Sequence, residues 1–213
     1  MESAAAPVNR LERRKQRTRA ALIKAAQGVI AAGRLNVPIL EITQAADVGM
    51  GSFYNHFATK EELFEAAVID VLDRHGEVLD ALTGQLEDPA EIFASSFRLT
   101  GRFFRRRPQE SAILLANWQA VLASERGLAP RALRDITAAA AAGRFRIDDP
   151  ERALTTAGGL LMGLGMLLTA RPDREANQTT DAVAEDLLRL FGMSARDAHR
   201  ICTRPLPEIG ADQ

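Results

Sequence analysis

The chain has one cysteine, one tryptophan and one tyrosine, and aromatic residues make up only 5% of it. A lone thiol, Cys202, excludes an internal disulfide. The three histidines, His56, His75 and His199, are far apart and offer no metal-site spacing, so no metal is expected. The pair Gly49 and Gly51 lacks the third glycine and the preceding strand of a dinucleotide fingerprint. No nucleophile motif and no carboxylate pair stands in a catalytic context, so neither enzyme chemistry nor a cofactor is expected. Alternating strand patterns are missing, as is any internal repeat. The first residues lack the continuous apolar core of a signal peptide, and a cytoplasmic location is expected.

Alanine and leucine are abundant instead. With 46% hydrophobic and 26% charged residues, that mix points to an all-α globular chain. A net charge of −1 hides an asymmetry. Residues 1–60 hold nine Lys/Arg against four Asp/Glu, whereas the remainder holds 18 against 24. A basic head on an acidic body implies that only the head meets a polyanion.

Breakers divide the chain into helices. Residues 1–8 are small and polar and are expected to be disordered. A helix over 9–32 stops at Gly33 and carries Arg10, Arg13, Arg14 and Arg17 as one basic stripe. Pro38 suits the start of a short helix over 39–46, and Asp47-Val48-Gly49 reads as a tight turn before another over 50–56. Thr59 to Glu62 fits a capping box that opens a long helix to 82. Further helices are predicted over 89–106, 108–123, 130–142, 150–170, 180–191 and 194–201.

Two short helices joined by a three-residue turn, behind a basic helix, are the layout of a helix-turn-helix. A major groove admits one helix, and the helix before it must brace it at a steep angle, so the turn must be short. Ile39, Ile42, Ala46, Val48, Phe53 and Phe57 supply the small core such a unit needs. The segment 42–64, ITQAADVGMGSFYNHFATKEELF, resembles the DNA-binding signature of the TetR/AcrR family of bacterial regulators. The ending Tyr54 to Phe57 and the Lys60 to Phe64 helix start carry most of that likeness. The run 141–150, AAGRFRIDDP, is similar to the family's C-terminal domain.

The resemblance implies a helix-turn-helix head over 9–58, a helical effector-binding and dimerisation body over 59–202 and a tail over 203–213. It implies a homodimer on near-palindromic operator DNA, paired through the helices near 150–170 and 180–191. An effector bound in the body would respace the heads and release the DNA. Carried over by position, Arg17, Thr43, Gln44, Met50, Gly51, Ser52, Tyr54, Asn55, His56 and Lys60 would meet double-stranded DNA. Tyr54, His56 and Lys60 would hold phosphates, while Ser52 and Asn55 would read base edges. Met50 stands where the family commonly has a basic residue, and it would suit a thymine methyl.

In the body, Phe97, Phe104, Leu114, Trp118, Met162 and Met166 are candidates to line a pocket for a mainly apolar small molecule. His75, Asn117 and Gln119 are candidate polar anchors. The run 153–170 carries no charge over 18 residues, the lower limit for a membrane span. Its Gly158, Gly159, Gly163 and Gly165 fit a buried soluble helix that lets a partner helix or ligand come close, and no membrane partner is expected. A second reading stays open: a helical small-molecule-binding or interaction protein whose head has weak or lost DNA binding. Met50 and the weakly charged recognition helix favour it.

Overall fold

In the computed structural model, residues 10–207 are described, and they form eleven α-helices with no strand among them. The segment 1–8 and the tail beyond residue 207 lie outside the described residues. The chain divides into two compact units, with the boundary between Asp70 and Val71, inside one helix.

The first unit opens with α1 (Arg10–Ala31), which buries Leu22, Ile23, Ala26, Val29 and Ile30 along one face. It ends where Gly33 takes φ +67. That left-handed step lets the Arg34 amide donate back to the Val29 carbonyl at 3.0 Å and closes the last turn. Next come α2 (Ile39–Ala45) and α3 (Met50–Tyr54), two residues shorter at its end than expected. Asp47, at φ +53, makes the turn between them, and the Val48 amide reaches the Thr43 carbonyl at 3.0 Å. Asp is one of the few side chains that accept this backbone.

Leu22, Ile42, Phe53, Phe57 and Leu63 are almost wholly buried and form the head's core. Each removes apolar surface from water for about 1.5–3 kcal/mol before its entropy cost. The helix α4 (Lys60–Thr83) starts with the predicted cap. Its Glu62 amide donates to Thr59 Oγ1 at 3.1 Å. The return bond, from Ala58 N–H to Glu62 Oε2 at 2.7 Å, reaches one residue further out than a standard capping box.

The second unit is built around α5 (Pro89–Arg106), which packs against α8 (Leu128–Ala141), α9 (Pro150–Ala170) and α10 (Ala176–Leu190). Between them lie α6 (Pro108–Ala116) and α7 (Trp118–Ala123), and α11 (Ala195–Cys202) closes the chain. The Asp-Pro openings behave as read. Asp88 accepts from the Ala90 amide, and Asp149 accepts from the Glu151 and Arg152 amides, each bond at 3.0 Å. Phe93, Phe145 and Phe191 meet at ring separations of 5.2–5.7 Å. Buried Arg98 donates to Asp181 Oδ1 at 2.8 Å and to the Arg204 carbonyl at 3.1 Å, which pins the chain after α11.

Two expectations need correction. The single helix expected over 108–123 is two, because Asn117 leaves helical geometry at φ −118 and ψ 28. Its side chain donates to the Ile113 carbonyl at 2.8 Å, a local bond that competes with the helix. The helix expected from residue 180 starts at Ala176, because Glu175 accepts from the Gln178 amide at 2.7 Å and acts as its cap. That role is usually filled by Ser, Thr, Asp or Asn.

The helix α9 is long and apolar enough, by length and composition, to cross a membrane, and one face of it, with Ala153, Ala157, Gly158, Leu164 and Leu168, is buried within the second unit. Gly158 lies against Leu122, and Gly165 against Leu115 and Phe104. The opposite face, with Gly159, Gly163, Met166 and Leu167, is exposed.

Candidate nucleic-acid interface and effector cavity

In the first unit, α3 buries Phe53 and turns its other side chains outward. Tyr54 is 60% exposed, its ring set edge-on to Phe53 at 5.1 Å. Met50, Gly51 and Asn55 are exposed, and Ser52 and His56 are half-buried. Gly51 has nothing within 4 Å of where a Cβ would stand, so packing within the chain does not demand glycine there. Gln44 and Arg17 are also exposed. These exposed residues are spread over α1, α2 and α3.

Thr43 is the exception among the expected set. It is 1% exposed, and its hydroxyl donates to the Leu40 carbonyl at 2.9 Å, one turn back in its own helix. It lies on the inner face of α2, turned from solvent. Lys60 has a role that spacing did not predict. Its Nζ donates to the carbonyls of Leu35 at 3.1 Å and Val37 at 3.3 Å, tying the loop before α2 to the start of α4.

His56 titrates below its ordinary value, first because it is partly buried and then because Lys15 and Arg19 stand near it. Arg19 also lies over the Phe57 ring at 5.0 Å. Lys15 and Arg19 thus join the basic surface, although they fall off the stripe of arginines read from α1. Only the folded position of His56 links them.

In the second unit, a cavity encloses about 660 Å³ of space free of atoms, open solvent at its mouth included. Its apolar walls come from Phe93 and Phe97 on α5, Trp118, Val121 and Leu122 on α7, and Leu154, Gly158 and Leu161 on α9. Of the pocket candidates, Phe97 and Trp118 line it. Phe104 and Leu114 are buried in the unit's interior but do not line it. Met162 and Met166 also lie outside it, since they follow the flank of α9 turned from the cavity, and Met166 is 56% exposed. Of the anchor candidates, Gln119 is exposed, Asn117 is spent on the break between α6 and α7, and His75 stands behind the cavity wall.

The polar wall went unread in the sequence. Arg131 Nε donates to Asp80 Oδ2 at 2.6 Å, and Arg134 Nη2 to Asp80 Oδ1 at 3.2 Å. Arg134 Nε donates to Asp135 Oδ1 at 2.8 Å. All four side chains border the cavity. Desolvation raises the Asp135 pKa against the opposing pull of Arg134, while the bond to Asp135 raises that of Arg134. Gly76 makes room for this network, since a Cβ there would stand 2.6 Å from Arg131 Nη1. The same guanidinium donates to the Gly127 carbonyl at 2.9 Å. The available signal was the set 131, 134 and 135, which falls on one side of α8.

An outward-facing helix-turn-helix in one unit and a walled cavity in another define a DNA-binding regulator with its own ligand-binding body. The comparisons agree. The family "Tetracyclin repressor-like, C-terminal domain" matches residues 88–204, and "Bacterial regulatory proteins, tetR family" matches residues 22–67. The crystal structure of RolR without ligand is 35% identical, with a TM-score of 0.75, over 90% of this chain and 100% of that one. RolR in complex with resorcinol is 34% identical, with a TM-score of 0.65, over 93% and 99% of the two chains. The transcriptional repressor KstR2 of Mycolicibacterium smegmatis is 35% identical over 63 residues, 28% of this chain and only 31% of that repressor's length. The chain belongs to the TetR family of bacterial regulatory proteins.

Proposed function

We propose that the protein represses transcription in the cytoplasm as a homodimer on a near-palindromic operator, and that a small hydroxylated aromatic compound releases it. The charged wall of the effector cavity carries the second half of this reading. Asp80, Arg131, Arg134 and Asp135 offer paired donors and acceptors at the edge of an otherwise apolar space. Such a site suits a flat apolar ring with a polar rim, because the ring packs on the apolar walls while a hydroxyl on its edge joins the charged network. The resorcinol held by RolR is a compound of that kind.

The division of labour is a head over 9–58, a body over 59–202 and a tail over 203–213. Ser52 and Asn55 read base edges, and Tyr54, His56, Gln44 and Arg17 hold the backbone. Met50 and Gly51 let the helix approach closely. Lys60 acts mainly on the protein, by holding the loop before α2. Dimerisation uses the open faces of α9 and α10, where Gly159, Gly163, Leu167 and Leu190 are exposed. The protein acts by binding, with no turnover of the effector.

One helix, α4, contributes Lys60 near the head and Asp80 at the cavity. An effector that prefers one arrangement of the Asp80 network shifts the population of α4 positions, and with it the spacing of the heads. The test is gel-shift titration on the DNA upstream of the gene and its neighbours. Specific binding should weaken steeply with salt and be reversed by resorcinol. Binding that ignores both salt and every phenolic compound tried would refute the proposal.

A further inference from the structure

The cavity has a second polar station, on α5. Thr100 borders the cavity yet is only 3% exposed. Its hydroxyl donates to the Ser96 carbonyl at 2.8 Å. His75 Nε2 lies 3.0 Å from the same oxygen. A hydroxyl has one proton to give. With that proton committed to Ser96, His75 carries its own on Nε2 and donates it to Thr100. The imidazole packs against Phe103 at a ring separation of 4.2 Å, and burial pushes its pKa down to about 4, so it is neutral at pH 7. Thr100 Oγ1 is left with one lone pair and no proton. In an apolar wall such an oxygen favours a donor and repels an anion.

The other polar wall balances two carboxylates against two guanidiniums, through bonds of 2.6–3.2 Å. Neither wall therefore holds a net charge to offset an ionised ligand. Thr100 stands on α5, whereas the charged network joins α4 and α8, with Phe97 and Trp118 among the apolar lining.

We propose that Thr100, held in place by His75, is a second hydroxyl-reading station, and that the effector is an uncharged aromatic ring bearing two hydroxyl groups, one for each wall. The proposal rests on the effector reading above and adds a specificity-determining residue to it. A ring with a single hydroxyl would take the charged wall, where hydrogen bonds to ionised groups are stronger, and leave Thr100 unused. A ring carrying a carboxylate would find both guanidiniums already matched by Asp80 and Asp135, and it would face the bare lone pair of Thr100.

Isothermal titration of the full chain with resorcinol, phenol and benzoate tests this, using the natural protein, Thr100→Val and Thr100→Ser. The natural protein should prefer resorcinol to phenol by about tenfold, the worth of one good hydrogen bond. Thr100→Val should lose about that factor for resorcinol and almost nothing for phenol. Thr100→Ser should restore the preference. Operator binding without ligand reports whether the valine variant is folded, and Thr100→Ala gives a second measure of the same ratio. An unchanged resorcinol-to-phenol ratio in the folded variants overturns the inference and leaves the effector reading intact. Natural protein that binds benzoate best, or none of the three, overturns the effector reading and the inference with it.

Discussion

Replacing Gly76 by alanine should separate effector sensing from folding and from DNA binding. The added Cβ would stand 2.6 Å from Arg131 Nη1, 2.7 Å from Cζ and 3.0 Å from Nε. Contacts that close do not persist, so the guanidinium has to move. It is the far end of a flexible side chain, and it can swing away without disturbing α4 or α8. The move breaks its 2.6 Å bond to Asp80 and its 2.9 Å bond to the Gly127 carbonyl.

Two opposing terms set the stability. Glycine within a helix costs about 0.5–1 kcal/mol relative to alanine, so the substitution gains that much for α4. The Arg131–Asp80 pair is partly exposed, at 25% and 39% of the two side chains, so its loss together with the Gly127 bond costs about 1–2 kcal/mol. The terms nearly cancel, and the melting temperature should move by no more than about 2–4 °C. Effector binding has no such compensation. It loses the placed donor of the polar wall, worth about 1.5–3 kcal/mol for a bond to a charged group, or at least about tenfold in affinity. The assay is operator release in a gel shift, titrated with resorcinol, beside a thermal melt. Gly76→Ala should bind operator as the natural protein does and need at least about tenfold more effector for release. Release at the natural concentration would refute the reasoning that Gly76 exists to seat Arg131. So would a large loss of stability.

His75 sets an acid limit on the fold. Its pKa lies at about 4 in the fold against 6.5 unfolded, so the unfolded chain binds the proton first as pH falls. Stability is lost from about pH 6.5 down to about pH 4, by about 3 kcal/mol in all, and His75→Gln should flatten that part of a pH series of urea melts. His56 is also held below its ordinary value, but a DNA phosphate beside it would favour its charged form. Operator affinity should therefore rise as pH falls from 7.5 to 6, and His56→Gln should remove that slope in fluorescence anisotropy. Thr43→Val should leave operator affinity almost unchanged, since the hydroxyl is spent on the Leu40 carbonyl, whereas Asn55→Ala should cost about 1–3 kcal/mol on the natural operator and relax preference at one base pair.

The contrast between Thr43 and Asn55 shows where a sequence stops being legible. Helix periodicity and breakers gave the architecture well, because Gly33, Pro38, Asp88-Pro89 and Asp149-Pro150 act locally, through φ angles and caps that neighbours hardly alter. Glu175 and Asn117 escaped the same reading because each uses an ordinary side chain in an unusual local bond. The outward residues of α3 were legible because a five-residue helix with one buried phenylalanine has few ways to lie. Thr43 is buried where its family position suggested an outward side chain, because that position says that it stands on the bracing helix α2 but not which way that helix is rolled. The cavity was the hardest part. Residue size points to Phe97 and Trp118, which line it, but equally to Met162 and Met166, which lie outside it on another flank of α9. Its polar wall joins Asp80 to Arg131 and Arg134 across 51 and 54 positions of sequence. Taken singly, each of these charges reads as a solvated surface group. Their chemistry arises only when α4 and α8 bring them together, with Gly76 leaving the space for one guanidinium. A residue chosen for having no side chain is the least visible part of a binding site, and here it determines where Arg131 can stand.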